Sequence, residues 1–294
     1  MTVQSVPLFP PYIMLETTRL CNARCGHCPN KTIDKSQPFL SDALFEKIAA
    51  EIGRNHQHIT QVALFINGEP LLDKKLPERI RRLKELGVAR VIFSTNGSLL
   101  NEAAGRKILE AGLDALDITL NSMDASKYEA VRIGLRHAVV VENIHNYLRL
   151  RDAIRPQSTV RIRTEAHALL TRQDIDAWLA YWRRHIGPND SVYAKKMHNW
   201  GNQIPGLLEN PNPTTSPCPI LWSTINISTR GEVGICCLDY RPNHRLGNVG
   251  ETSLTEVWHS QAYTLLREVH AGSRRETLEM CRNCSIWDED QKII

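Results

Sequence analysis

The chain has 294 residues, of which 42% are hydrophobic and 23% are charged, a composition typical of a globular protein with room for a large core and a smaller second unit. Its net charge of +4 is spread along the chain without a basic tail, which argues against nucleic-acid binding. No apolar run approaches the roughly 20 residues that a membrane span needs, and the N-terminus lacks a signal-peptide pattern, so we expect a cytoplasmic protein with no membrane and no nucleic-acid partner.

The first two thirds of the chain alternate strand and helix patterns. Short apolar runs predict strands at residues 12–18, 61–66, 89–95, 113–120, 158–166 and 191–196. Apolar residues at helical spacing predict helices at 41–53, 76–87, 101–112 and 174–187, and a mostly helical segment at 124–154. Strand–helix units in series predict an α/β fold with a parallel sheet curved into a partial (β/α)6 TIM-like barrel, whose functional residues lie at the carboxyl ends of the strands. An open doubly wound sheet is the alternative.

The pattern changes after Trp200. Residues 201–217 are rich in Pro, Asn and Gly, which is typical of a linker. A β-hairpin is predicted between Ile225 and Ile235, and a helix at 253–269. We therefore predict a barrel at residues 1–203 and a small α+β domain at 204–294, a size that often depends on bound metal for its stability.

The eight cysteines fall into two groups, which favours metal ligation or catalysis over disulfides in a reducing compartment. The front group is Cys21, Cys25 and Cys28, just beyond the first predicted strand. Three thiolates on one loop suit a four-iron cluster that leaves one iron free for another ligand. A zinc site, or cysteines without any metal, is the alternative.

The Cys-x3-Cys-x2-Cys spacing in the first strand–helix loop resembles that of the radical S-adenosylmethionine (SAM) enzymes. Segments after the next strands are similar to the SAM-binding motifs of that family, although Asn67 stands where the family has a glycine. Each segment alone could be a common turn, but their order along the chain makes the resemblance specific. The resemblance implies SAM contacts from His27, Gly68, Glu69, Pro70, Ser94, Asn96, Asn121, Ser122 and Arg132.

Membership of this family would imply a defined chemistry. A [4Fe–4S] cluster on the front cysteines, reduced by a flavodoxin or ferredoxin-type electron donor, cleaves SAM to methionine and a 5′-deoxyadenosyl radical, which takes a hydrogen atom from the substrate. Glu69 and its neighbours would hold the amino group of SAM, and Arg132 would pair with its carboxylate. A non-catalytic iron–sulfur or zinc protein is a hypothesis of a different class.

The back cysteines resemble the auxiliary-cluster domain called SPASM, or its shorter form called twitch. The resemblance implies a second [4Fe–4S] cluster held by Cys218, Cys236, Cys281 and Cys284. Four thiolates would saturate that cluster, so it would serve structure or electron transfer. Zinc is again the alternative, because four cysteines that include a Cys-x2-Cys pair also suit it.

Cys237 is the cysteine left over, and it separates the reactions that we consider. In an epimerase of the neomycin epimerase type, Cys237 would be the catalytic residue that returns a hydrogen atom to the substrate radical. In a dehydrogenase of the 2-deoxy-scyllo-inosamine dehydrogenase type, the auxiliary cluster would accept an electron and the product would be a ketone. A small buried side chain beside the cluster, without a catalytic role, is the third possibility for Cys237. We predict the epimerase, with Cys237 on a strand and pointing away from Cys236.

The expected substrate is small and polar, such as an amino sugar or aminoglycoside, which would place the protein in antibiotic biosynthesis. Glu165, Asp239 and Glu232 are candidate partners for the amino groups of such a substrate, although solvated surface acids are the commoner case. Trp200, beyond the sixth predicted strand, either stacks on a sugar ring or packs in the core. A peptide-modifying maturase is a further alternative, although only 20 residues precede Cys21 and the usual peptide-recognition domain is not expected there.

Overall fold

A computed structural model of the protein describes residues 5–204, 216–240 and 245–284, and the backbone of residues 292–293. The strands are β1 (Tyr12–Leu15), β2 (Gln61–Ala63), β3 (Val91–Thr95), β4 (Ala115–Thr119), β5 (Thr159–Ala166), β6 (Ser191–Lys196), β7 (Thr224–Ile227), β8 (Glu232–Gly234), β9 (Gly247–Asn248) and β10 (Lys292–Ile293). The helices are α1 (Asp42–Arg54), α2 (Leu76–Glu85), α3 (Glu102–Glu110), α4 (Ala125–Val131), α5 (His137–Ile154), α6 (Arg172–Arg183), α7 (Ile220–Ser223), α8 (Leu254–Trp258) and α9 (Gln261–Ala271). No helix in these ranges is long and apolar enough to cross a bilayer.

Strands β1 to β6 lie side by side in chain order, and each neighbouring pair is parallel. Right-handed crossovers between strands in this order place every connecting helix on the same face of the sheet. A doubly wound sheet would instead reverse its strand order at a switch point, so that alternative is excluded. The predicted α/β partial barrel is confirmed. Its last strand, β6, pairs on its outer edge with β10 in antiparallel direction.

The C-terminal unit extends the same sheet. Strand β7 pairs in parallel with β1, on the edge opposite β2, and then forms the predicted antiparallel hairpin with β8. Strand β9 adds to β8 and completes the order β10-β6-β5-β4-β3-β2-β1-β7-β8-β9. The domain boundary was predicted between residues 203 and 204. Residues 205–215, which make up most of the predicted linker, lie outside the described ranges.

Local sequence accounts for where the helices begin. Ser41 caps α1 through a hydrogen bond from the backbone N–H of Leu44, as its position before an apolar helical pattern predicts. Thr171 and Asp174 form a capping box, so α6 begins at Arg172, two residues before the predicted start. The predicted helix at 253–269 is two helices, because α8 ends at Trp258 and Ser260 caps the start of α9.

The two faces of the barrel sheet differ in character. The outer face packs on the apolar sides of the helices and forms the main core. Inside the barrel, β1 to β3 and the start of β4 contribute a small apolar cluster that includes Ala63, Ile92 and Ala115. Farther along β4 and on β5, the inner face carries charged side chains such as Asp117 and Arg161, which form an ion pair. The charged side of the barrel therefore leads toward the carboxyl ends of the strands.

Candidate active site

The carboxyl ends of the barrel strands surround a cavity of about 320 Å³. Cys21, Cys25 and Cys28 line one side of it, on the loop that follows β1. Cys237, from the turn after β8, lines the same cavity. The topology therefore brings residues more than 200 positions apart in the chain to one site.

The cysteine loop after β1 is held by backbone contacts and leaves its thiols largely covered. The N–H of Cys28 donates to the carbonyl of Cys25 at 3.2 Å, and the N–H of Arg24 donates to the carbonyl of Ile133 at 2.8 Å. Burial raises the pKa of the Cys21 thiol, and it raises the pKa of the Cys28 thiol to about 11. A metal cluster would have to displace those thiol protons on binding.

The segment Asn67-Gly68-Glu69-Pro70 packs tightly against the chain that follows β1. A Cβ on Gly68 would lie 2.1 Å from the carbonyl oxygen of Thr18, so only glycine fits. The N–H of Glu69 donates to the carbonyl of Leu20 at 2.8 Å. Asn67 donates from its side chain to Glu16 Oε1 at 3.0 Å, so the residue that departs from the family pattern is tied to a buried acid. The segment is thereby fixed at the cavity wall.

Glu69 is buried, and its carboxylate is held by three donors. Oε1 accepts from the Thr95 hydroxyl at 2.7 Å and from the Leu71 N–H at 3.2 Å, and Oε2 accepts from the Asn96 N–H at 2.8 Å. Burial raises the pKa of Glu69, whereas these hydrogen bonds oppose that rise. A carboxylate fixed in this way, next to a cavity, suits an ammonium group.

The structure brings most of the predicted SAM-binding residues to the cavity. Those on its walls are His27, Gly68, Glu69, Ser94, Asn96 and Arg132. The other three predicted residues, Pro70, Asn121 and Ser122, do not line the cavity. Asn121 accepts from Arg132 Nε at 2.6 Å, and Ser122 Oγ accepts from the Asp124 N–H at 3.0 Å. Pro70 begins the short 3₁₀ turn Pro70–Leu72 that follows Glu69.

Arg132 stands between the cysteine loop and the far wall of the cavity. Its Nη1 lies 3.5 Å from Cys25 Sγ, and its Nη2 lies 3.9 Å from Glu165 Oε2. With the bond to Asn121, each nitrogen of the guanidinium has a partner. The side chain is thus held in place before any ligand is present.

The wall formed by β5 and β6 carries a cluster of charges. Glu165 is buried, and its carboxylate lies 3.1 Å from Lys195 Nζ and 3.5 Å from His27 Nε2. Burial works against ionisation, but the surrounding cations, above all Lys195, hold the pKa of Glu165 well below its usual range. Burial and nearby Lys195 lower the pKa of His198 to about 4, so that imidazole is neutral near pH 7.

The other two acids considered for substrate amino groups lie elsewhere. Glu232 pairs with Arg245 at 2.8 Å and lies 3.9 Å from Arg19, and Asp239 Oδ2 accepts from the N–H of Ile235 at 3.3 Å. Both line a separate small cavity beside β1 and β7. Trp200, by contrast, lies on the wall of the main cavity, so its ring is available to a ligand.

The four remaining back cysteines line one small apolar cavity in the C-terminal unit. They are Cys218, Cys236, Cys281 and Cys284. Burial raises the pKa of Cys236 well above its usual range and that of Cys281 to about 12. In the part of the chain that the structure describes, no three Cys, His, Asp or Glu side chains are arranged as a site for a single metal ion. An all-sulfur donor set with apolar surroundings fits an iron–sulfur cluster.

Cys236 and Cys237 line different cavities, as predicted, but the predicted reason, that they alternate along a strand, does not hold. Strand β8 ends at Gly234, so the prediction that Cys237 lies on a strand is wrong. The two cysteines lie in a turn that is closed by the N–H of Asp239 donating to the carbonyl of Cys236 at 3.0 Å. Cys236 lines the small apolar cavity and Cys237 the main one. Burial raises the pKa of the Cys237 thiol to about 11.

Several cavity residues were not found from the sequence. Thr95 supports Glu69, and Arg163, Lys195, Met197 and Leu238 line the cavity. The charged pattern of Arg161, Arg163 and Glu165 at alternate positions of a barrel strand was the available signal, because alternate residues of a strand share a face.

Comparisons with known proteins agree with this geometry. The sequence model of the Radical SAM superfamily matches residues 15–177, and that of the iron–sulfur cluster-binding SPASM domain matches residues 218–285. The chain is 22% identical over 286 residues to the S-adenosyl-L-methionine-dependent 2-deoxy-scyllo-inosamine dehydrogenase of Niallia circulans, covering 95% of each. It is 23% identical over 295 residues to the Fe-coproporphyrin III synthase of Methanosarcina barkeri, covering 84% of this chain and 73% of the synthase. A crystal structure of BtrN in complex with AdoMet and 2-DOIA superposes with a TM-score of 0.66 at 19% identity, covering 96% of this chain and 94% of that chain.

Proposed function

The chain belongs to the radical SAM superfamily and carries a SPASM-type domain, and we propose that it is an epimerase of a small polar substrate in which Cys237 is the hydrogen-atom donor. This family and its domain imply SAM and [4Fe–4S] clusters as cofactors. A cluster held by Cys21, Cys25 and Cys28, together with SAM, would supply the 5′-deoxyadenosyl radical that removes a hydrogen atom from the substrate.

The position of Cys237 carries the proposal. Its thiol lines the cavity that also holds the front cysteines and the predicted SAM-binding residues. Cys236, its neighbour in the chain, faces the other cysteines of the C-terminal unit instead. Cys237 therefore lines the cavity of the proposed SAM site and does not line the small apolar cavity of the other four back cysteines, so its thiol can meet a substrate radical there.

The other residues take the roles that their places support. Cys21, Cys25 and Cys28 would hold the front cluster, and Cys218, Cys236, Cys281 and Cys284 the auxiliary one. Glu69 would accept the amino group of SAM and Arg132 its carboxylate, with Asn96 and Ser94 toward the ribose and His27 toward the adenine. Gly68 and Pro70 shape the loop around Glu69, Asn121 orients Arg132, and Ser122 accepts from the N–H of Asp124 just before α4.

The hydrogen balance of the reaction defines what Cys237 must do. One C–H hydrogen leaves the substrate, and the S–H hydrogen of Cys237 then adds to the opposite face of the resulting carbon radical. This inverts the carbon and leaves a thiyl radical, which takes one electron and one proton to become a thiol again. A flavodoxin or ferredoxin-type donor would supply that electron. The S–H bond is weaker than most C–H bonds, so the transfer from sulfur to carbon is favourable.

A dehydrogenase is the second candidate, and a specific comparison favours it. The chain aligns with the 2-deoxy-scyllo-inosamine dehydrogenase of Niallia circulans over 286 residues, which is 95% of each of the two chains. In such a reaction the substrate radical of a secondary alcohol loses an electron and a proton to give a ketone, and no hydrogen returns from Cys237. A peptide-modifying maturase remains the third candidate from the sequence, and no observation on the cavity favours it.

The test is a product analysis in deuterated water. The anaerobically reconstituted enzyme, with dithionite and SAM, is screened for compounds that increase 5′-deoxyadenosine formation. The panel holds amino sugars, aminoglycosides, and sugars that carry a carboxylate or a phosphate. With such a compound in D₂O, we expect a product inverted at one carbon that carries one deuterium there. Cys237→Ala should still form 5′-deoxyadenosine but no epimer.

Three outcomes would count against the proposal. A ketone from the wild-type enzyme would establish the dehydrogenase instead. An epimer that still forms in Cys237→Ala would remove Cys237 from the reaction. If the reduced, cluster-loaded protein did not cleave SAM, the proposal that it is a radical SAM enzyme would be excluded. Cys237→Ser is the matched control for packing, since its O–H bond is too strong to donate a hydrogen atom but its size is similar.

A further inference from the structure

Arg163 lies on the cavity wall and makes no ion pair with a carboxylate of the described residues. It is on β5, two residues before Glu165, and its Nε donates to the hydroxyl of Thr119 at 3.0 Å. Within residues 5–204, 216–240 and 245–284, no carboxylate oxygen comes within 4.0 Å of its guanidinium nitrogens. Its other close neighbour is the hydroxyl of Tyr193, on the adjacent strand. At contact distance, the positive charge of this guanidinium therefore meets only the two neutral hydroxyls.

The same strand shows what a neutralised arginine looks like. Arg161, one layer deeper on the same face, stands opposite Asp117 in the β4–β5 register and makes two hydrogen bonds to its carboxylate. Arg163 stands opposite Thr119 in that register. The layer below the cavity therefore pairs its arginine with an acid, and the layer that lines the cavity pairs it with a hydroxyl.

Counting charges on this wall gives an excess of positive charge. Glu69 and Arg132 are proposed to bind SAM, and two further cations of the cavity, Arg24 and Lys31, follow β1 in the chain. The β5–β6 side carries Arg163, Lys195 and Glu165. Lys195 Nζ is the nearest cation to Glu165, at 3.1 Å, and Arg163 attracts the same carboxylate from a longer distance. Two cations and one carboxylate leave a net charge of +1 on the wall, and Arg163 is the cation that no carboxylate oxygen of the described residues approaches within 4.0 Å.

We propose that the substrate carries an anionic oxygen group, a carboxylate or a phosphate, that binds Arg163, with Lys195 beside it. The inference rests on the proposed small-molecule function. A guanidinium removed from water without a counter-charge is costly, and a bound anion restores that charge balance. Arginine presents its N–H donors in a planar fork that matches both carboxylate and phosphate. A substrate whose only charges are ammonium groups would be repelled from this wall.

The experiment compares four small probes that differ mainly in charge. They are glycerol phosphate, glycerate, glycerol and aminopropanediol. Each is titrated, without reductant, into the cluster-loaded enzyme saturated with SAM, and binding is followed by ligand-observed NMR. We expect glycerol phosphate or glycerate to bind about 10- to 100-fold more tightly than glycerol, as a charge-assisted hydrogen bond provides. Which of the two binds more tightly distinguishes a phosphate from a carboxylate substrate.

Variants separate Arg163 from the general charge of the protein. Arg163→Gln should reduce the affinity for the anionic probes to that for glycerol and leave the affinity for SAM unchanged, whereas Arg163→Lys should retain part of the preference. Lys196→Gln is the matched control, because it removes a positive charge from an exposed neighbour of Lys195 that does not line the cavity. If Arg163→Gln fails to fold, the order of the four probes on the wild-type enzyme still decides.

Two results would overturn the inference. One is wild-type binding of the anionic probes that is no tighter than binding of glycerol, or tightest binding of aminopropanediol. The other is an Arg163→Gln enzyme that loses affinity for SAM but keeps its preference for anions, since Arg163 would then belong to the SAM site. The probes bind without turnover, so the two experiments are independent. A negative binding result does not affect the test of Cys237 in D₂O, and a negative result in D₂O does not affect the binding result.

Discussion

Gly68 lies where the chain after β2 meets the chain after β1, and no side chain fits between them. A Cβ there would lie 2.1 Å from the carbonyl oxygen of Thr18 and 2.8 Å from that of Leu20. Both obstacles are backbone, which cannot rotate away as a side chain can. The next residue, Glu69, is the buried carboxylate at the cavity wall, so the close approach at Gly68 determines where that carboxylate lies.

We therefore expect Gly68→Ala to displace the loop and weaken SAM binding by about tenfold or more, with a loss of stability of about 1–3 kcal/mol as for other overpacked sites. Isothermal titration with SAM and the melting temperature of the cluster-loaded enzyme measure the two effects. Gly26→Ala is the matched control, because a Cβ on Gly26 meets no atom of the described part of the chain within 4 Å. A Gly68→Ala enzyme with wild-type affinity for SAM would contradict this account.

Residues whose chemistry depends on local spacing were the ones that the sequence could reveal. The cysteine loop and the Glu69 segment follow single strands, and their neighbours in the chain are their neighbours in space. Arg163 is different, since its importance comes from Thr119 standing where an acid would neutralise it. That fact depends on the register between β4 and β5, which no pattern within either strand specifies.

At the scale of elements, the series of strands and helices was predictable because each carries its own periodicity. The residues at which strands and helices end were harder to predict. Strand β8 ends at Gly234 rather than continuing through Cys237, because the side chain of Asp239 accepts the N–H of Ile235 and the chain turns there. The parallel pairing of β7 with β1 was likewise not predicted, since it joins segments more than 200 residues apart.

Asp190 is the residue through which three elements near the bottom of the barrel are joined. Its carboxylate makes two bonds of 2.8 Å to Arg151 of α5 and accepts from the N–H groups of Val160 in β5 and Gly187 before β6. The side chain is 1% exposed. Burial opposes its ionisation, but the Arg151 and N–H donors hold the pKa of Asp190 below its usual range.

Asp190→Asn should destabilise the protein by about 3 kcal/mol or more, because it leaves Arg151 buried with a weakened partner. A carboxyl whose pKa is lower in the folded state stabilises the fold at every pH above its ordinary pKa, and this stabilisation is lost only as the pH falls through the folded value. The difference in melting temperature between wild type and variant should therefore be constant from about pH 6 to about pH 9.

The control for this prediction is Asp152→Asn. Asp152 also contacts Arg151, at 2.7 Å, but its side chain is 68% exposed. An exposed pair contributes about 1 kcal/mol or less, so its loss should shift the melting temperature only slightly. Equal shifts for the two variants, or a difference that changes between neutral and alkaline pH, would show that Asp190 does not stabilise the fold through a buried ionised pair.

At the scale of the whole molecule, the barrel and the C-terminal unit share one sheet and one buried network of charges. Glu16, just after β1, is fully buried and pairs with Arg19 at 2.9 Å. Arg19 Nη2 lies 3.9 Å from Glu232 of the hairpin, and the N–H of Thr229 donates to Glu16 at 3.3 Å. Glu16 also accepts from Asn67, so the network reaches the segment that carries Glu69.

This arrangement predicts that the two cysteine sites do not assemble independently. Arg19→Met leaves Glu16 buried without its cation, which should cost about 3–5 kcal/mol. Because Glu16 contacts both units, we expect the variant to lose iron from both sites, with a lower melting temperature. Iron and sulfide per chain after anaerobic reconstitution, together with the melting temperature, measure this effect.

Arg245→Met is the matched control, since Arg245 also pairs with Glu232 but its side chain is 63% exposed. Glu232 is buried but keeps Arg19 at 3.9 Å when Arg245 is removed, so this loss should cost clearly less than that of Arg19 and leave the iron content unchanged. If Arg19→Met lost iron from the C-terminal cysteines alone and kept SAM binding, the two units would be separable despite their common sheet. Loss of iron from both sites in Arg19→Met, with none lost in Arg245→Met, would support the opposite conclusion. The buried charges beside β1 would then hold the hairpin that leads to Cys237 against the cavity of the barrel.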